Sequence, residues 1–418
     1  MFELYGYKIF FWSNENDEPV HVHVAKGKQT PNATKIWLPA DSNPVVVHNK
    51  SRIPQKDLTR ILKAVALERD TIIARWYDYF GKWGGIFMSE VVLHFTRAGH
   101  VENIHRGDVV AVNCAGEIVS AIGNAHLPMF WRSAAKPFQA LAFVKNGGLE
   151  RYGITDEELA VLVSSHSGEE NHVALVRGIL AKLGLDESVL DCGVLRPLNG
   201  KAFKKLLVSG EPITAVHNQC SGKHSQIIAW AMMLGVDVSG YIRPEHPAQK
   251  IIFEHVAMAS RMPEDKLEIG IDGCGVPVFY LPIYNMSLAY ARLSTPAKGD
   301  WGDYELAATK IRDAMSKYPQ IVAGTGRIDT AVPEVTGGRI IAKIGSDAVF
   351  CMAVKDGDLG ITFKVEDGSF ATVTPMTIAL LKHLDLLTKD EAAELDRRFP
   401  PVLKNHRGEV IGTIETVF

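Results

Sequence analysis

The alternation of apolar and polar positions separates a short first segment, residues 1–83, from a longer second one. In the first segment, short β-branched and aromatic runs predict strands at 5–11, 20–24, 36–38 and 45–47. A helix is predicted over 54–80, with one apolar stripe formed by Leu58, Ile61, Leu62, Val65, Ala66, Ile72, Ile73 and Trp76. The glycine-rich stretch 81–85 then indicates a junction. Residues 1–83 are therefore predicted to form a small α+β domain.

The second segment, residues 88–418, has predicted strands at both ends and predicted helices between them. The predicted strands are 91–95, 109–113, 118–122, 267–271, 339–344, 349–354, 361–365 and 410–417. The predicted helices are 155–162, 170–183, 247–260, 304–315 and 376–387. Thr155 and Glu158 form a capping box, and Pro247 stands where a helix begins. This order predicts an α/β domain of the α+β kind, with an antiparallel sheet packed against a helical region.

Composition and charge favour a globular protein with no nucleic-acid or membrane partner. The 418 residues are 46% hydrophobic and 22% charged, and the net charge of −3 gives no electrostatic reason to expect a polyanion. No apolar run reaches the roughly 20 residues that span a bilayer, and the first residues lack the pattern of a signal peptide. The five cysteines are odd in number and scattered, unlike a disulfide framework. A cytoplasmic location is therefore expected.

Ser133 and Lys136 are the first candidates for catalysis, in the stretch 131–138. At the start of a helix, a spacing of three residues places the hydroxyl and the amine on the same face. A lysine takes the proton of a serine only if burial or nearby cations lower its pKa from about 10.4. The Ser-x-x-Lys spacing is a weak signal alone, and a capping serine beside a solvated lysine is the alternative.

Ser165 and Lys343 are further candidates. Ser165 lies in the polar stretch 163–172 between two predicted helices, where its hydroxyl is available for proton transfer or substrate contact. The alternative is that Ser165 or Ser167 caps the helix that follows. Lys343 lies on a predicted strand and is a candidate second ammonium group, with a surface lysine as the alternative.

The cysteines of two further motifs predict a metal site. Cys220 and His224 lie four residues apart ahead of an apolar run, and Cys274 follows the predicted strand 267–271. Two cysteines and a third nitrogen donor are ligands that zinc accepts in proteins. The set is incomplete without tertiary contact, and packed cysteines without a metal are the alternative.

Five ordered motifs resemble those of the inducible rhizobial asparaginase family, over 91–418. They are Arg-Ser-Ala-Ala-Lys-Pro at 132–137, Ser-Ser-His-Ser-Gly-Glu at 164–169, His-Asn-Gln-Cys-Ser-Gly-Lys-His at 217–224, Asp-Gly-Cys-Gly-Val-Pro at 272–277 and Ala-Gly-Thr-Gly-Arg at 323–327. The resemblance implies a fold like that of serine β-lactamases and glutaminases, and a homodimer. It also implies hydrolysis of the side-chain amide of L-asparagine.

The same resemblance assigns residues to roles. It implies two Ser–Lys pairs, Ser133 with Lys136 and Ser165 with Lys343. It implies a zinc-binding group near the serines, formed by Cys220, Lys223 and Cys274. Zinc there is expected to position groups rather than to activate water, and it is not expected to be essential.

The mechanistic hypothesis is attack by Ser133, activated by Lys136, on the carboxamide carbon of asparagine. Ser165 stays open as the nucleophile instead. By charge alone, Asp272 is predicted to bind the α-ammonium group of the substrate, and Arg132 to bind its carboxylate.

Other functions remain as alternatives. One is a glutaminase or another Ser/Lys amidohydrolase. A β-lactamase-like hydrolase is less favoured, because the sequence lacks its Lys-Thr-Gly and Ser-Asp-Asn motifs. A non-catalytic regulatory protein that uses the N-terminal domain is the alternative from another class.

Residues 1–83 resemble a small bacterial domain family of unknown function. The resemblance rests on Tyr-Gly-Tyr-Lys-Ile-Phe-Phe at 5–11, a short acidic turn and a Pro-x-His-x-His pattern. His21 and His23 lie on one side of a predicted strand, as metal ligands or a binding surface would. A half-exposed strand that happens to carry two histidines is the alternative.

Overall fold

A computed structural model describes residues 2–4, 6–12, 20–38, 44–69, 71–72, 75–76 and 89–418. The chain divides into two compact units, Met1–Met88 and Ser89–Phe418. The predicted junction at 81–85 lies outside the described residues. No helix in the described part of the chain has the length and apolar character needed to cross a membrane.

In its described residues, the first unit is an antiparallel meander followed by a long helix. Its elements are β1 (Phe2–Leu4), β2 (Tyr7–Phe10), β3 (His21–Lys26), β4 (Thr34–Trp37), β5 (Val45–His48) and α1 (Gln55–Leu67). The strands pair in sequence order. The predicted apolar stripe is confirmed at Leu58, Ile61 and Val65, which are buried in the core of this unit. Glu68 leaves helical geometry and ends α1, but the described residues Arg69, Thr71, Ile72, Arg75 and Trp76 are helical again, within the predicted range 54–80.

His21 and His23 are buried rather than half-exposed. Their Nε2 atoms lie 3.1 Å apart, and the ring of Trp76 packs against His21 at 4.5 Å between centroids. The prediction that both imidazoles lie on one side of the strand is confirmed, and the packing around them is aromatic.

The second unit alternates sheet and helix. Its strands are β6 (Glu90–Arg97), β7 (His100–Val112), β8 (Ile118–Ile122), β9 (Pro128–Phe130), β10 (Glu268–Ile271), β11 (Pro277–Pro282), β12 (Ile340–Gly345), β13 (Val349–Val354), β14 (Leu359–Val365), β15 (Val402–Lys404) and β16 (Val410–Thr416). Its helices are α2 (Lys136–Gln139), α3 (Leu141–Lys145), α4 (Gly148–Tyr152), α5 (Asp156–Leu162), α6 (Glu170–Lys182), α7 (Gly200–Ser209), α8 (Ser221–Leu234), α9 (Pro247–Ser260), α10 (Ile283–Ser294), α11 (Glu305–Lys317), α12 (Pro319–Val322), α13 (Ile328–Val335), α14 (Phe370–His383) and α15 (Lys389–Arg398).

A large antiparallel sheet forms the middle layer of this unit. Its strand order is β12-β13-β14-β7-β6-β16-β15, with β8 also paired to β7. Successive residues of a strand point to opposite faces, so Val110 and Val112 join the core beneath α8–α11, whereas Val109 and Ala111 join the core beneath α13–α15. Helices thus cover both faces, which confirms the predicted α+β class of antiparallel sheet and helical region.

Several elements depart from the sequence prediction. Strand β11 and helix α10 were missed, because the apolar run passes from Pro282 to Ile283 with no turn residue between them. Helix α14 begins at Phe370, six residues before the predicted start, because Pro375 lies inside the helix rather than at its boundary. Strand β7 is also longer than predicted and begins at His100.

Close approach between the sheet and α10 requires a glycine at position 360. A Cβ atom there would lie 2.1 Å from the Ser287 carbonyl oxygen and 2.2 Å from the Ala291 nitrogen. We therefore expect Gly360→Ala to lower the free energy of unfolding of the second unit by about 1–3 kcal/mol, as overpacking does. Chemical denaturation followed by tryptophan fluorescence would measure it.

Gly200→Ala is the matched control, because a Cβ at the start of α7 would have no atom within 4 Å. Its stability should change by less than about 1 kcal/mol. Equal losses in the two variants would show that contact with α10 is not what requires Gly360.

Candidate active site

Ser133 lies in a turn with a strained backbone. After β9, residues Arg132–Ala135 form a 3₁₀ turn, and α2 begins at Lys136. Arg132 has φ of +53°, a left-handed conformation that is unfavourable for a side chain with a Cβ. The Arg132 side chain is held by ion pairs with Asp272, at 3.0 Å, and with Asp347. Backbone strain of this kind is concentrated at functional sites, and here it directly precedes the candidate nucleophile.

Lys136 is buried, which excludes the solvated lysine considered above. Its Nζ atom donates to the Ser164 carbonyl oxygen at 2.7 Å and lies 2.9 Å from the Ser165 hydroxyl. Burial lowers the pKa of Lys136 from its ordinary value, with a further contribution from the positive charge of Lys223. The condition set for a lysine base is therefore met.

Lys343 approaches the same hydroxyl from the sheet. It is fully buried on β12, and its Nζ atom lies 2.7 Å from Ser165 Oγ and 2.9 Å from the Ile344 carbonyl oxygen. Burial holds the pKa of Lys343 well below its ordinary value, and the nearby charge of Lys136 lowers it further. A surface lysine is excluded, and the Ser165–Lys343 pair is present.

Ser165 therefore lies between two lysine amines. This differs from two separate Ser–Lys pairs, because the hydrogen bond of Lys136 runs to Ser165 and not to Ser133. Within the part of the chain that the structure describes, the Ser133 hydroxyl has no hydrogen-bond partner. The Lys136 chain extends from the end of the turn towards the loop after α5, which places its amine beside that loop.

The loop after α5 is buried and rigidly held. Ser165 N donates to the Val322 carbonyl oxygen at 2.9 Å, and the Ser167 hydroxyl donates to that of Ala323 at 2.9 Å. Helix α6 is capped by Glu169, so capping by Ser165 or Ser167 is excluded. The loop thus fixes the position of the Ser165 hydroxyl relative to both lysines.

Both candidate serines line one cavity of about 610 Å³. A volume of this size is typical of small-molecule sites. Its polar lining includes Ser133, Ser165, Asn199, Gln219, Thr325 and Arg327. Neither Arg132 nor Asp272 lines this cavity, and each is already paired with the other. Their predicted roles in substrate binding therefore gain no support from the geometry.

Arg327 and Asp329 are charged residues of this cavity that sequence reasoning did not assign. Arg327 Nε and Nη2 donate to the two carboxylate oxygens of Asp329 at 3.0 and 2.8 Å. Arg327 Nη1 donates to the Ser165 carbonyl oxygen at 2.7 Å. The sequence contained a signal for both residues, since Arg327 ends the Ala-Gly-Thr-Gly-Arg motif and Asp329 follows two residues later.

The residues of the predicted metal site converge behind Lys136. The Cys220 and Cys274 sulfurs and a carboxylate oxygen of Asp272 all lie within 4.8 Å of one another. Lys223 Nζ lies 3.1 Å from Cys274 Sγ, and Lys136 Nζ lies 3.4 Å from Cys220 Sγ. His224 instead bonds to the Tyr241 hydroxyl at 2.7 Å. Two thiolate sulfurs and a carboxylate oxygen are ligands that zinc takes in proteins, and a deprotonated Lys223 nitrogen would complete a set of four.

The charges in this cluster also suit a cation. A hydrogen bond from Cys274, with the nearby Lys136 and Lys223, holds the pKa of the Cys220 thiol well below its ordinary value. Burial lowers the pKa of Lys223, but its contacts with the acidic groups Cys274, Cys220 and Asp272 outweigh burial and raise that pKa. Lys223 must therefore release a proton before its nitrogen can bind a metal.

Comparison with known proteins identifies the second unit. Residues 93–416 match the family L-asparaginase II. The chain belongs to the L-asparaginase II family. Membership makes the protein an amidohydrolase, with a small-molecule amide as its class of substrate. Residues 6–77 match the family Domain of unknown function (DUF4160), so the suspected fusion of two families is confirmed.

The solved structures that match this member of the L-asparaginase II family share little sequence with it. A crystal structure of Mglu is 15% identical, with a TM-score of 0.35, and covers 68% of each chain. A β-lactamase from Mycobacterium bovis is 12% identical, with a TM-score of 0.34 over 66% of this chain and 94% of its own. No curated protein matches the chain significantly.

The lowered pKa of Lys343 predicts a specific pH dependence of stability. An unfolded lysine keeps its proton up to about pH 10.4, whereas folded Lys343 loses it at lower pH. Between these two pKa values the unfolded state binds more protons, so wild-type stability rises with pH. Lys343→Met lacks this titration. Its free energy of unfolding relative to wild type should be highest at low pH and fall as pH rises.

Urea denaturation at several pH values would measure this difference. Lys204→Met, at an exposed position, serves as the control and should show no such trend. A difference for Lys343→Met that does not vary with pH would contradict the neutral form of this lysine in the folded protein.

Proposed function

We propose that the protein hydrolyses the side-chain amide of L-asparagine to L-aspartate and ammonia through a serine acyl-enzyme. The observation that carries the proposal is the Ser165 hydroxyl between two buried lysine amines, at 2.9 and 2.7 Å, in a cavity that Ser133 also lines. Membership of the L-asparaginase II family supports the choice of amide.

Ser133 is proposed as the nucleophile. Its hydroxyl has no competing hydrogen bond within the described residues, and it faces the cavity after the strained Arg132. Lys136, three residues later, takes the Ser133 proton as Oγ attacks the carboxamide carbon. The ammonium formed on Lys136 then stabilises the negative charge that develops on the substrate oxygen in this buried site.

Ser165 is proposed to carry protons between the lysines and the substrate. It donates its hydrogen to a neutral amine and accepts one from the protonated amine of the other lysine. When the C–N bond breaks, the proton taken from Ser133 passes from Lys136 through Ser165 to the leaving nitrogen, which departs as ammonia. Water then attacks the ester and gives its proton to the same lysines, and Ser133 recovers its hydrogen as aspartate leaves.

Zinc is proposed to bind Cys220, Lys223 and Cys274, with the Asp272 carboxylate beside them. The bound ion would supply positive charge that fixes the two thiolates, one of which lies 3.4 Å from Lys136 Nζ. No catalytic step requires it. The expected homodimer and cytoplasmic location stay predictions.

The nearest alternative is glutamine as the substrate, which has one more methylene and is hard to distinguish by geometry. A non-catalytic role is disfavoured, because the serines and lysines are intact and brought together. The N-terminal unit does not enter this proposal.

Removing either serine should slow ammonia release from L-asparagine, but only Ser165→Ala should still form an acyl-enzyme. Ser133→Ala should lose at least about 10³-fold in kcat, because it removes the atom that forms the acyl bond. Ser165→Ala should lose about 10²–10⁴-fold, as expected for loss of proton transfer, and should still form an acyl-enzyme. Acid quenching and peptide mass spectrometry would locate the acyl group.

Parallel assays with L-glutamine would separate the alternative substrate. Ser120→Ala, on β8, is the control and should keep wild-type kcat. An acyl group on Ser165, or its formation in Ser133→Ala, would contradict the assignment of Ser133.

Loss of a cysteine ligand should remove zinc from the purified protein. Wild type should hold about one zinc per chain by elemental analysis, and Cys274→Ala should hold almost none, because a structural site needs nearly all its ligands. Zinc affinity should fall as pH is lowered, since Lys223 and the thiols must lose protons. Cys114→Ala removes a buried thiol outside this cluster and should keep the metal. Equal zinc in both variants would contradict the site.

A further inference from the structure

The proposed reaction leaves the recognition of the rest of the substrate unexplained. Asparagine carries an α-carboxylate, which in a partly buried cavity needs a cationic donor. Arg132 is unsuited, because Asp272 and Asp347 already bind its guanidinium. Among the charged residues that line the cavity, Arg327 is the cation.

The hydrogen bonds of Arg327 leave part of its guanidinium available. A guanidinium group has five N–H donors. Arg327 uses three of them within the described residues, two to Asp329 and one to the Ser165 carbonyl oxygen. Two remain for a ligand, and the side chain is 20% exposed, whereas that of Asp329 is 1% exposed. Because Arg327 lines the cavity, its two remaining N–H donors can bind a ligand there.

The loop that carries Arg327 is held in place from both sides. The Glu169 carboxylate accepts hydrogen bonds from Thr325 N at 2.7 Å and from the Thr325 hydroxyl at 2.9 Å. The Thr330 hydroxyl donates to the Gly324 carbonyl oxygen at 2.6 Å. A guanidinium fixed by its own backbone, a buried carboxylate and the Ser165 backbone is preorganised, so little order has to be gained when a ligand binds.

We propose that Arg327 binds the α-carboxylate of the substrate and so restricts the enzyme to amides that carry one. This inference rests on the proposed function and adds the residue that makes it specific for substrates with an α-carboxylate. Arg327 binds the carbonyl oxygen of Ser165, so a carboxylate on its remaining donors would lie in the cavity that Ser133 and Ser165 line. In asparagine only the α and β carbons separate carboxylate and amide, so both groups fit within one cavity.

The test compares L-asparagine with 3-aminopropanamide, which is asparagine without its α-carboxylate. Arg327→Gln should reduce kcat/KM for L-asparagine by about 100-fold, as expected for loss of a charge-assisted pair of hydrogen bonds. Its kcat/KM for 3-aminopropanamide should stay within about twofold of wild type, because that contact is never made. Arg327→Lys keeps the charge but loses the two-pronged hydrogen bonding of the guanidinium. Its kcat/KM for L-asparagine should lie between those of wild type and Arg327→Gln.

Arg97→Gln, at an exposed arginine paired with Glu102, is the matched control and should leave kcat/KM for both substrates unchanged. An equal loss for both substrates in Arg327→Gln and Arg327→Lys would overturn the proposal. It would show that Arg327 acts only by holding Asp329 and the Ser165 backbone.

Binding separates this inference from the proposed reaction. In the Ser133→Ala background, calorimetry should show that L-aspartate binds at least about 10-fold more tightly than 3-aminopropanoate, which lacks the α-carboxylate. Adding Arg327→Gln should abolish that preference. If wild type hydrolyses neither amide, the proposed reaction is wrong. The preference for L-aspartate over 3-aminopropanoate still tests whether Arg327 binds the α-carboxylate. Equal binding of both acids to the Ser133→Ala protein would refute it.

Discussion

The hydrogen bonds from two buried lysine amines to one serine hydroxyl determine the character of this structure. Burying an ammonium group is costly, so a lysine inside a protein loses its proton or finds partners. Here Lys136 comes from α2, Lys343 from β12, and Ser165 from the loop after α5. The sheet, the turn after β9 and the helical region must all be in place before the three groups meet.

The cysteine cluster extends this arrangement away from the cavity. Cys220 Sγ lies 3.4 Å from Lys136 Nζ, so a charge on the thiol acts directly on the lysine that faces Ser165. On the opposite side, Arg327 reaches the backbone of Ser165. Ser165 is thus held by two lysine amines at its hydroxyl and by the Arg327 guanidinium at its carbonyl oxygen, and Arg327 is itself paired with the buried Asp329.

Local signals made much of the fold predictable from the sequence. The capping box of Thr155 and the proline at 247 marked the starts of α5 and α9 as the structure has them. The site was harder to predict from the sequence, because its hydrogen bonds join residues that lie far apart in the chain. Ser165 lies 29 residues from Lys136 and 178 from Lys343, and no spacing rule relates groups so far apart. The motifs named these residues, but only the packed fold shows that both lysines share one hydroxyl.

Direct titration of the two lysines would show whether a neutral amine lies beside Ser165. Protein labelled with ¹³C at lysine Cε would be followed by NMR, with the resonances assigned from Lys136→Met and Lys343→Met. We expect Lys343 to show the chemical shift of a neutral amine at pH values well below the ordinary lysine pKa of about 10.4. If both resonances keep the shift of an ammonium group until that ordinary value, no neutral base lies beside Ser165, and the account is contradicted.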